Sequence, residues 1–287
     1  MKDDPGLGSF PGVLAAIRDL ATDNRSGAAE ILGRAADVFE LPTKAAGGGD
    51  PNLVAALGAA LMKAQPDMAP IANLVARAEA AADSAANSGE ALMHASLAAR
   101  EYVEWAIRAA EAAARHAAEL IAAGSSVLTH SRSSTVMKAF SLALREGRRF
   151  KLFVTESRPI MEGRAMAAEA AQLGASVTLV ADAAAALVMD SVDLVIVGAD
   201  KVTPRSLFNK IGTRMIALAA RERDRPLYGV CDTSKFDKTG RSTGQQNFAG
   251  HEPDELWPGA PERVRVLNLY FEETPLSLLT GVITEDG

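Results

Sequence analysis

The chain has 287 residues, of which 48% are hydrophobic, and it carries a formal net charge of −6. These values describe an acidic globular protein with a sizeable core. No block of lysine and arginine interleaved with aromatic residues occurs, so nucleic acid is not an expected partner. No unbroken apolar run reaches about 18 residues. No secretory leader opens the chain, so we expect no membrane contact and a cytoplasmic location.

The residues that hold metals and common cofactors are scarce in this sequence. Cys231 is the only cysteine, which excludes an intramolecular disulfide and a multi-cysteine metal site. The four histidines show no paired metal-binding spacing, and the glycine-rich signatures of dinucleotide and P-loop nucleotide sites are missing. We therefore expect neither a metal nor a cofactor.

The N-terminal part of the chain has the apolar spacing of helices. In the longest segment Val103, Ala106 and Ala110 recur at spacings of three and four, with charged residues on the other face. Gly124 is expected to end this long connecting helix, and an earlier helix should end ahead of Pro42. The predicted helices are residues 11–21, 28–39, 52–63 and 89–122, in a helical lobe that spans residues 1–122.

In residues 123–287 the pattern changes to short apolar runs rich in β-branched residues, each ending in a polar cluster. Helix-patterned segments follow several runs, which predicts a parallel sheet with helices on both faces. Because ligands of such sheets bind beyond the carboxyl ends of the strands, the polar clusters mark the expected site. The runs are residues 127–128, 152–154, 179–180, 194–198 and 228–230.

Two later segments depart from this rhythm. Residues 237–261 are rich in glycine, proline, threonine and glutamine, which predicts an exposed loop that covers the site or contacts a partner. Residues 264–287 predict a short strand and a helical turn opened by Pro275, followed by residues 282–284.

The first two polar clusters combine hydroxyl groups with charged side chains. Residues 129–134 bring His130, Arg132 and several hydroxyl groups to a strand-to-helix turn. The amides of such a turn favour an anion, although the hydroxyl groups could simply cap the helix. After the next strand, Arg158 has the fork that usually binds phosphate or carboxylate, unless it only pairs with Glu156.

The remaining clusters add an acid and several cations. Asp200 closes the most hydrophobic strand, where a metal ligand, a general acid or base and an acceptor for a sugar hydroxyl all stay possible. Asn209 and Lys210 open a predicted helix, and a lysine beside free helix amides suits phosphate. Lys235 and, more weakly, Arg25 add positive charge. Such cations in an acidic protein indicate a doubly anionic small ligand.

Taken in order, these clusters resemble the family that joins the regulatory alpha, beta and delta subunits of translation initiation factor two-B with sugar-phosphate isomerases. Those isomerases act on methylthioribose-1-phosphate or ribose-1,5-bisphosphate. The resemblance implies an α/β fold with a helical N-terminal lobe followed by a Rossmann-like parallel-sheet domain, assembled as a homodimer or a higher oligomer. The matching segments are residues 128–131, 154–159, 192–200, 209–213, 235–236 and 271–276.

The resemblance also implies a pair of catalytic residues. In the isomerases a cysteine after the Thr-His pair works with the aspartate of the Gly-Ala-Asp strand to move protons between C1 and C2 of the ring-opened sugar. The aspartate is present as Asp200, but Ser131 stands at the cysteine position. A thiol titrates near pH ~8.5, whereas a hydroxyl is a poor general acid or base without an activating neighbour. Ser131 therefore argues against the standard isomerase mechanism.

The binding half of the site is better preserved than the catalytic half. Gln65 stands where the isomerases tend to have arginine, which removes one phosphate contact. The residues expected to bind the substrate are Arg25, Ser26, Gly27, His130, Arg158, Asn209, Lys210 and Lys235.

Two hypotheses follow. In the first, the protein binds a phosphorylated pentose and resembles an aldose–ketose isomerase of the ribose-1,5-bisphosphate type, with Asp200 and Ser131 at the catalytic positions. In the second, it is a non-catalytic regulatory subunit, similar to an exchange factor, that binds a sugar phosphate or nucleotide and acts through oligomeric contacts.

Overall fold

The computed structural model describes residues 7–23, 26–44, 52–66, 68–238 and 251–287. The chain divides into two compact units. The first comprises Met1–Arg108 with Ser234–Gly244, and the second comprises Ala109–Thr233 with Gln245–Gly287.

The first unit is built from helices whose apolar faces share one core. Spacings of three and four place apolar side chains such as Val13 and Ile17 on one face of a helix. These two residues are buried in the same core cluster as Leu57 and Leu74 of other helices. The helices are α1 (Pro11–Thr22), α2 (Ala28–Lys44), α3 (Leu53–Ala64), α4 (Ala69–Ala82) and α5 (Ser88–Glu119), of which α5 continues into the second unit.

The expected helices α1, α3 and α5 are confirmed to within a few residues, and two expectations need correction. Helix α2 does not end ahead of Pro42 but continues to Lys44. Pro42 lies in its last turns, where the missing N–H removes a single backbone hydrogen bond. Helix α4 lies in a segment for which the sequence analysis predicts no helix. Pro70 lies in the first turn of α4, where proline is favoured.

The second unit contains a six-stranded parallel sheet in the order β3-β2-β1-β4-β7-β9. This doubly wound order confirms the α/β class and the parallel sheet that the apolar runs predict. The strands of this sheet are β1 (Ser126–Thr129), β2 (Lys151–Thr155), β3 (Ser176–Val180), β4 (Leu194–Gly198), β7 (Leu227–Val230) and β9 (Gly281–Ile283). Its helices are α6 (Ser134–Arg145), α7 (Glu162–Gln172), α8 (Ala185–Val188) and α9 (Thr213–Glu222).

A small antiparallel sheet, in the order β5-β6-β8, is the part of this unit that the sequence did not predict. Its strands are β5 (Lys201–Val202), β6 (Ser206–Lys210) and β8 (Phe271–Pro275). Asn209 and Lys210 therefore do not open a helix: they end β6, where they pair with Glu272 and Phe271. Helix α9 begins only after Gly212, whose φ of 107° few other residues adopt readily.

The C-terminal segment follows the expected order of elements. A short helical turn at Leu276–Leu278 follows Pro275, and β9 completes the parallel sheet. Of the predicted loop at residues 237–261, residues 239–250 lie outside the described residues, and the rest contains a helical turn at Pro253–Glu255. Among the described residues, no helix combines the length and the apolar character that a membrane span requires.

Strands β1 and β4 are neighbours in the sheet but not in the chain, so the strand order reverses between them. Such a reversal opens a crevice at the carboxyl ends of the two strands. The start of α6 lies close to the end of β4: a Cβ added at Gly198 would lie 2.7 Å from Cβ of Ser133, the residue before α6. A glycine at the end of β4 thus lets the first turn of α6 approach it.

A substitution at Gly163 tests how closely α7 packs against the end of β2. A Cβ at this position would lie 1.8 Å from the carbonyl oxygen of Thr155, so Gly163→Ala should lower the free energy of unfolding by about 1–3 kcal/mol or more. At Gly33, inside α2, a Cβ meets no heavy atom within 4 Å among the described residues. Gly33→Ala should therefore raise the free energy of unfolding by about 0.5–1 kcal/mol. Guanidinium titrations of both variants measure the difference, and equal effects would contradict the contact.

Candidate functional site

His130 joins three chain segments at the carboxyl end of β1. The side chain is 1% exposed, with Nδ1 2.5 Å from Oγ1 of Thr155 and Nε2 2.8 Å from the carbonyl oxygen of Ile211. Because a carbonyl oxygen only accepts, Nε2 donates, and Nδ1 accepts from the Thr155 hydroxyl. Burial lowers the pKa of His130 below its usual value. Both ring nitrogens are thus bound to protein groups, and substrate binding by His130 stays a prediction.

Ser131, at the position of the expected catalytic cysteine, has an unusual backbone conformation. Its φ is 66°, and Ser157 at the end of β2 has a φ of 65°. The Ser131 N–H donates to Oγ of Ser157 over 2.8 Å, which ties the two turns together. Left-handed backbone at a residue other than glycine costs roughly 1–3 kcal/mol and is concentrated at functional sites. The turn therefore marks Ser131 as a candidate functional residue independently of its sequence position.

Asp182, the polar residue after the run at residues 179–180, was given no role by the sequence analysis, yet it positions the turn after β2. Its Oδ1 accepts from the N–H of Ser157 over 2.6 Å, and its Oδ2 accepts from the N–H of Arg158 over 2.7 Å. The Arg158 guanidinium donates to the carbonyl oxygen of Leu256 over 3.1 Å. Asp182 lies 25 residues from Ser157 in the chain, so only the pairing of β2 with β3 brings them together.

The alternative in which Glu156 and Arg158 pair with each other does not describe the structure. Glu156 instead accepts from Nε of Arg164 over 2.9 Å. The side chain of Arg158 is half-buried and remains one of the expected substrate ligands.

Asp200 follows the end of β4 and is half-buried. Its N–H donates to the carbonyl oxygen of Phe208 over 2.9 Å, which joins the end of β4 to the small antiparallel sheet. Since β1 and β4 run side by side, with Leu128 opposite Val195 in the register, Asp200 and Ser131 follow neighbouring strands. Both therefore lie beyond the carboxyl ends of strands, as the sequence predicts, and the strand order places them where it reverses.

Lys210 is buried in a polar and aromatic environment at the end of β6. The residue is 2% exposed, and its Nζ lies 2.5 Å from Oε1 of Glu162, the first residue of α7. The same Nζ lies 4.7 Å from the ring centre of Tyr270 and 5.0 Å from that of Phe271, within the range of cation–π attraction. Such a buried ammonium group requires compensation of this kind.

The helix start that the sequence proposes for anion binding already holds a carboxylate. Oε1 of Glu272 accepts from the N–H of Gly212 over 2.6 Å and from that of Arg214 over 2.9 Å. Asn209, its neighbour across the register, is buried and donates from Nδ2 to Oγ1 of Thr213 over 3.0 Å. A carboxylate at a helix N-terminus is favoured by the helix dipole.

Sequence reasoning missed both carboxylates, Glu162 and Glu272. Glu162 is the first residue of α7, and the first turn of a helix is a usual position for an acid. Glu272 lies in a segment that entered only through the resemblance. Their contacts join residues 48 and 60 positions apart in the chain, so no local sequence pattern predicts them.

Four expected ligands fall within the bounds of the first unit, and the structure describes three of them. Ser26 donates from its backbone N–H to Oδ1 of Asp23 over 2.8 Å, and the Gly27 carbonyl oxygen accepts the first bonds of α2. Lys235 is half-buried, and Asn73 donates to the carbonyl oxygens of Ser234 and Phe236 on either side of it. Arg25 lies outside the described residues. The role of all four in phosphate binding stays a prediction.

The doubly wound sheet places the protein in the α/β class, whose members bind small molecules at the point where the strand order reverses. Residues 26–287 match the profile of the Initiation factor 2 subunit family, and the chain belongs to that family. This membership confirms the resemblance drawn from the polar clusters.

The relatives include named sugar-phosphate isomerases. The chain is 36% identical over 228 residues to the 5-deoxyribose 1-phosphate isomerase of Moorella thermoacetica, covering 73% of this chain and 64% of that protein. It is 34% identical over 195 residues to the ribose 1,5-bisphosphate isomerase of Archaeoglobus fulgidus, covering 66% and 61%. The matches thus span less than two thirds of either relative. The crystal structure of the Pyrococcus horikoshii OT3 translation initiation factor eIF-2B superposes with a TM-score of 0.83 at 27% identity, covering 96% of both chains.

The buried imidazole predicts a pH dependence of stability. The unfolded chain binds a proton at histidine near pH ~6.5, whereas burial lowers the pKa of His130 in the folded state. Stability from the neutral ring is therefore present above about pH 6.5 and is lost as the pH falls towards the folded pKa, by at most about 1.4 kcal/mol per pH unit.

His130→Gln should flatten this slope between about pH 6.5 and 5, measured by urea unfolding at several pH values. Burial also lowers the pKa of His251, but His251 is present in both proteins, so the difference isolates His130. Identical slopes in the two proteins would contradict the assignment.

Proposed function

We propose that this protein binds a phosphorylated pentose at the carboxyl edge of its parallel sheet and is an aldose–ketose isomerase of weak or altered activity. The observation that carries the proposal is the buried Lys210 next to Asn209, in the segment whose Ile211 carbonyl oxygen bonds to His130 at the end of β1. Two related proteins are named as isomerases of 5-deoxyribose 1-phosphate and ribose 1,5-bisphosphate. Both names describe a phosphorylated five-carbon sugar.

In the proposed binding mode, the phosphate group meets the ammonium group of Lys210. An ammonium group offers three donors to phosphate oxygens, and a buried one acts in a low local dielectric, where charge-assisted hydrogen bonds are strong. The net charge of −6 would otherwise repel a dianion, so local positive charge is needed.

The proposed reaction requires two proton-handling groups. During isomerisation of a sugar 1-phosphate, the hydrogen on C2 moves to C1 and C2 becomes a ketone. The proton of the C2 hydroxyl is balanced by the proton that the ring oxygen gains on opening, so nothing is oxidised overall. Asp200 is the proposed acid or base, and Ser131 would have to take the other role. A hydroxyl group performs it poorly, which is why we propose weak activity.

Lys210→Ala tests the phosphate anchor. Loss of a charge-assisted hydrogen bond worth ~1.5–3 kcal/mol should weaken the binding of ribose 1,5-bisphosphate roughly 10- to 150-fold in isothermal titration calorimetry. Lys138→Ala is the matched control. Lys138 is an exposed lysine of α6 that pairs with Glu111, so its loss should change the affinity by less than about twofold. Unchanged affinity in a folded Lys210→Ala protein would refute the anchor.

Ser131→Cys tests the catalytic half. A positioned general acid or base contributes ~10²–10⁴-fold, so the thiol should raise turnover of ribose 1,5-bisphosphate or methylthioribose-1-phosphate measurably. Asp200→Asn should abolish the activity of either version. Ser134→Cys places a thiol at the exposed start of α6 and should give no gain. A wild type that is already fully active and unchanged by Ser131→Cys would place proton transfer elsewhere.

A second candidate function is that of a non-catalytic regulatory protein that binds a sugar phosphate or nucleotide and works as an oligomer. Ser131 favours it because the thiol is missing. The similarity to the protein named as translation initiation factor eIF-2B also supports it. This candidate predicts that the wild type and Ser131→Cys both bind a pentose phosphate while neither converts it.

A further inference from the structure

Two carboxylates of the chain already bind the hydrogen-bond donors that would suit an anionic ligand. Glu162 contacts Nζ of Lys210 over 2.5 Å, and Glu272 accepts from the first amides of α9. The ammonium group and the helix amides are the donors that a phosphate group would use. A phosphate that reaches either group must therefore compete with a carboxylate of the protein.

The two carboxylates are held very differently. Glu272 is fixed by the β6–β8 register opposite Asn209, and its Oε1 accepts two backbone hydrogen bonds. It caps α9, and its departure would leave two helix amides without their partner.

Among the described residues, the carboxylate of Glu162 has a single polar partner. Its Oε1 binds Lys210, while its Oε2 is buried without a hydrogen-bond partner among the described residues. A buried acceptor in that state costs the folded protein free energy. The side chain as a whole is still 23% exposed, so it has a path to solvent.

We propose that Glu162 determines which anions reach Lys210, a role that rests on the proposed function of Lys210 as the phosphate anchor. Without ligand, Glu162 compensates the buried ammonium group. An incoming group must displace it, and only a group that binds Lys210 more strongly than a carboxylate succeeds. A phosphate monoester brings a second negative charge and three acceptor oxygens, whereas a carboxylate monoanion only replaces like with like. Glu162 thereby selects phosphate monoesters and rejects carboxylate ligands, and a repulsive element of this kind gives specificity.

Glu162→Gln tests the proposal, because glutamine keeps the shape and a hydrogen-bond acceptor but loses the competing charge. In calorimetry at pH 8, inorganic phosphate should bind about tenfold or more tightly to this variant than to the wild type. Acetate, at concentrations without measurable binding to the wild type, should bind to the variant. Glu156→Gln is the matched control. Glu156 lies six residues before Glu162 in the chain and pairs with Arg164, so the variant removes the same charge from a carboxylate that does not contact Lys210. It should change phosphate affinity by less than about twofold.

A double-mutant comparison separates direct competition from a general charge effect. In a Lys210→Gln background, Glu162→Gln should change phosphate affinity by less than about twofold, because the contested ammonium group is gone. The same gain in both backgrounds would overturn the proposal. If Glu162→Gln does not fold, Glu162→Asp takes its place. Aspartate keeps the charge but is one methylene shorter, so it should hold Lys210 less well and tighten phosphate binding by a smaller factor.

The outcomes also separate this proposal from the proposed function. If the wild type binds ribose 1,5-bisphosphate and Glu162→Gln binds phosphate no more tightly, Glu162 is not the selecting residue and the proposed function stands. If neither protein binds phosphate or ribose 1,5-bisphosphate, both proposals fall.

Discussion

The carboxyl edge of the sheet depends on the neutral imidazole of His130. Its two nitrogens bind the Thr155 hydroxyl at the end of β2 and the Ile211 carbonyl oxygen ahead of α9, so one ring holds three segments. Gly212 comes so close that a Cβ there would lie 3.0 Å from Nε2. A protonated ring would lose its acceptor for Thr155 and place an unpaired charge in the interior. Burial of this ring lowers its pKa and so favours the neutral form that these contacts use.

The turns around this ring share one construction principle: a side chain from elsewhere in the chain satisfies their backbone groups. Asp182 binds the amides of Ser157 and Arg158, and Glu272 binds those of Gly212 and Arg214. Backbone groups at the end of a buried strand need such partners because water cannot reach all of them. These carboxylates hold the loops in one conformation, which is what a small-molecule site requires.

The charges of the site are arranged so that the ligand-free protein remains stable. Lys210 is buried, and Glu162 together with two aromatic rings compensates its charge. In the proposed binding mode a ligand gains only the difference between its own interaction with Lys210 and that of Glu162, so tight binding and selectivity would depend on the same contact. The proposed catalytic position differs in kind. Ser131 retains a strained backbone, with a φ of 66°, while its side chain lacks the thiol that the family resemblance implies. The proposed binding groups and the proposed acid–base groups are thus separable parts of one edge.

The sequence alone determined the parallel sheet, the edge at which the site lies and several of the polar residues there. Hydrophobic runs and helix periodicity are local properties. Ser131 and Asp200 each lie two residues after the end of a strand of the parallel sheet, so their edge could be predicted from position along the chain. Tertiary structure decided the rest. The pairing of β6 with β8 turned Asn209 and Lys210 into strand residues, and it brought Glu272 to the start of α9. The packing of α7 brought Glu162 to Lys210. These contacts join segments 48 to 60 residues apart, and their geometry depends on how the elements pack rather than on any pattern within them.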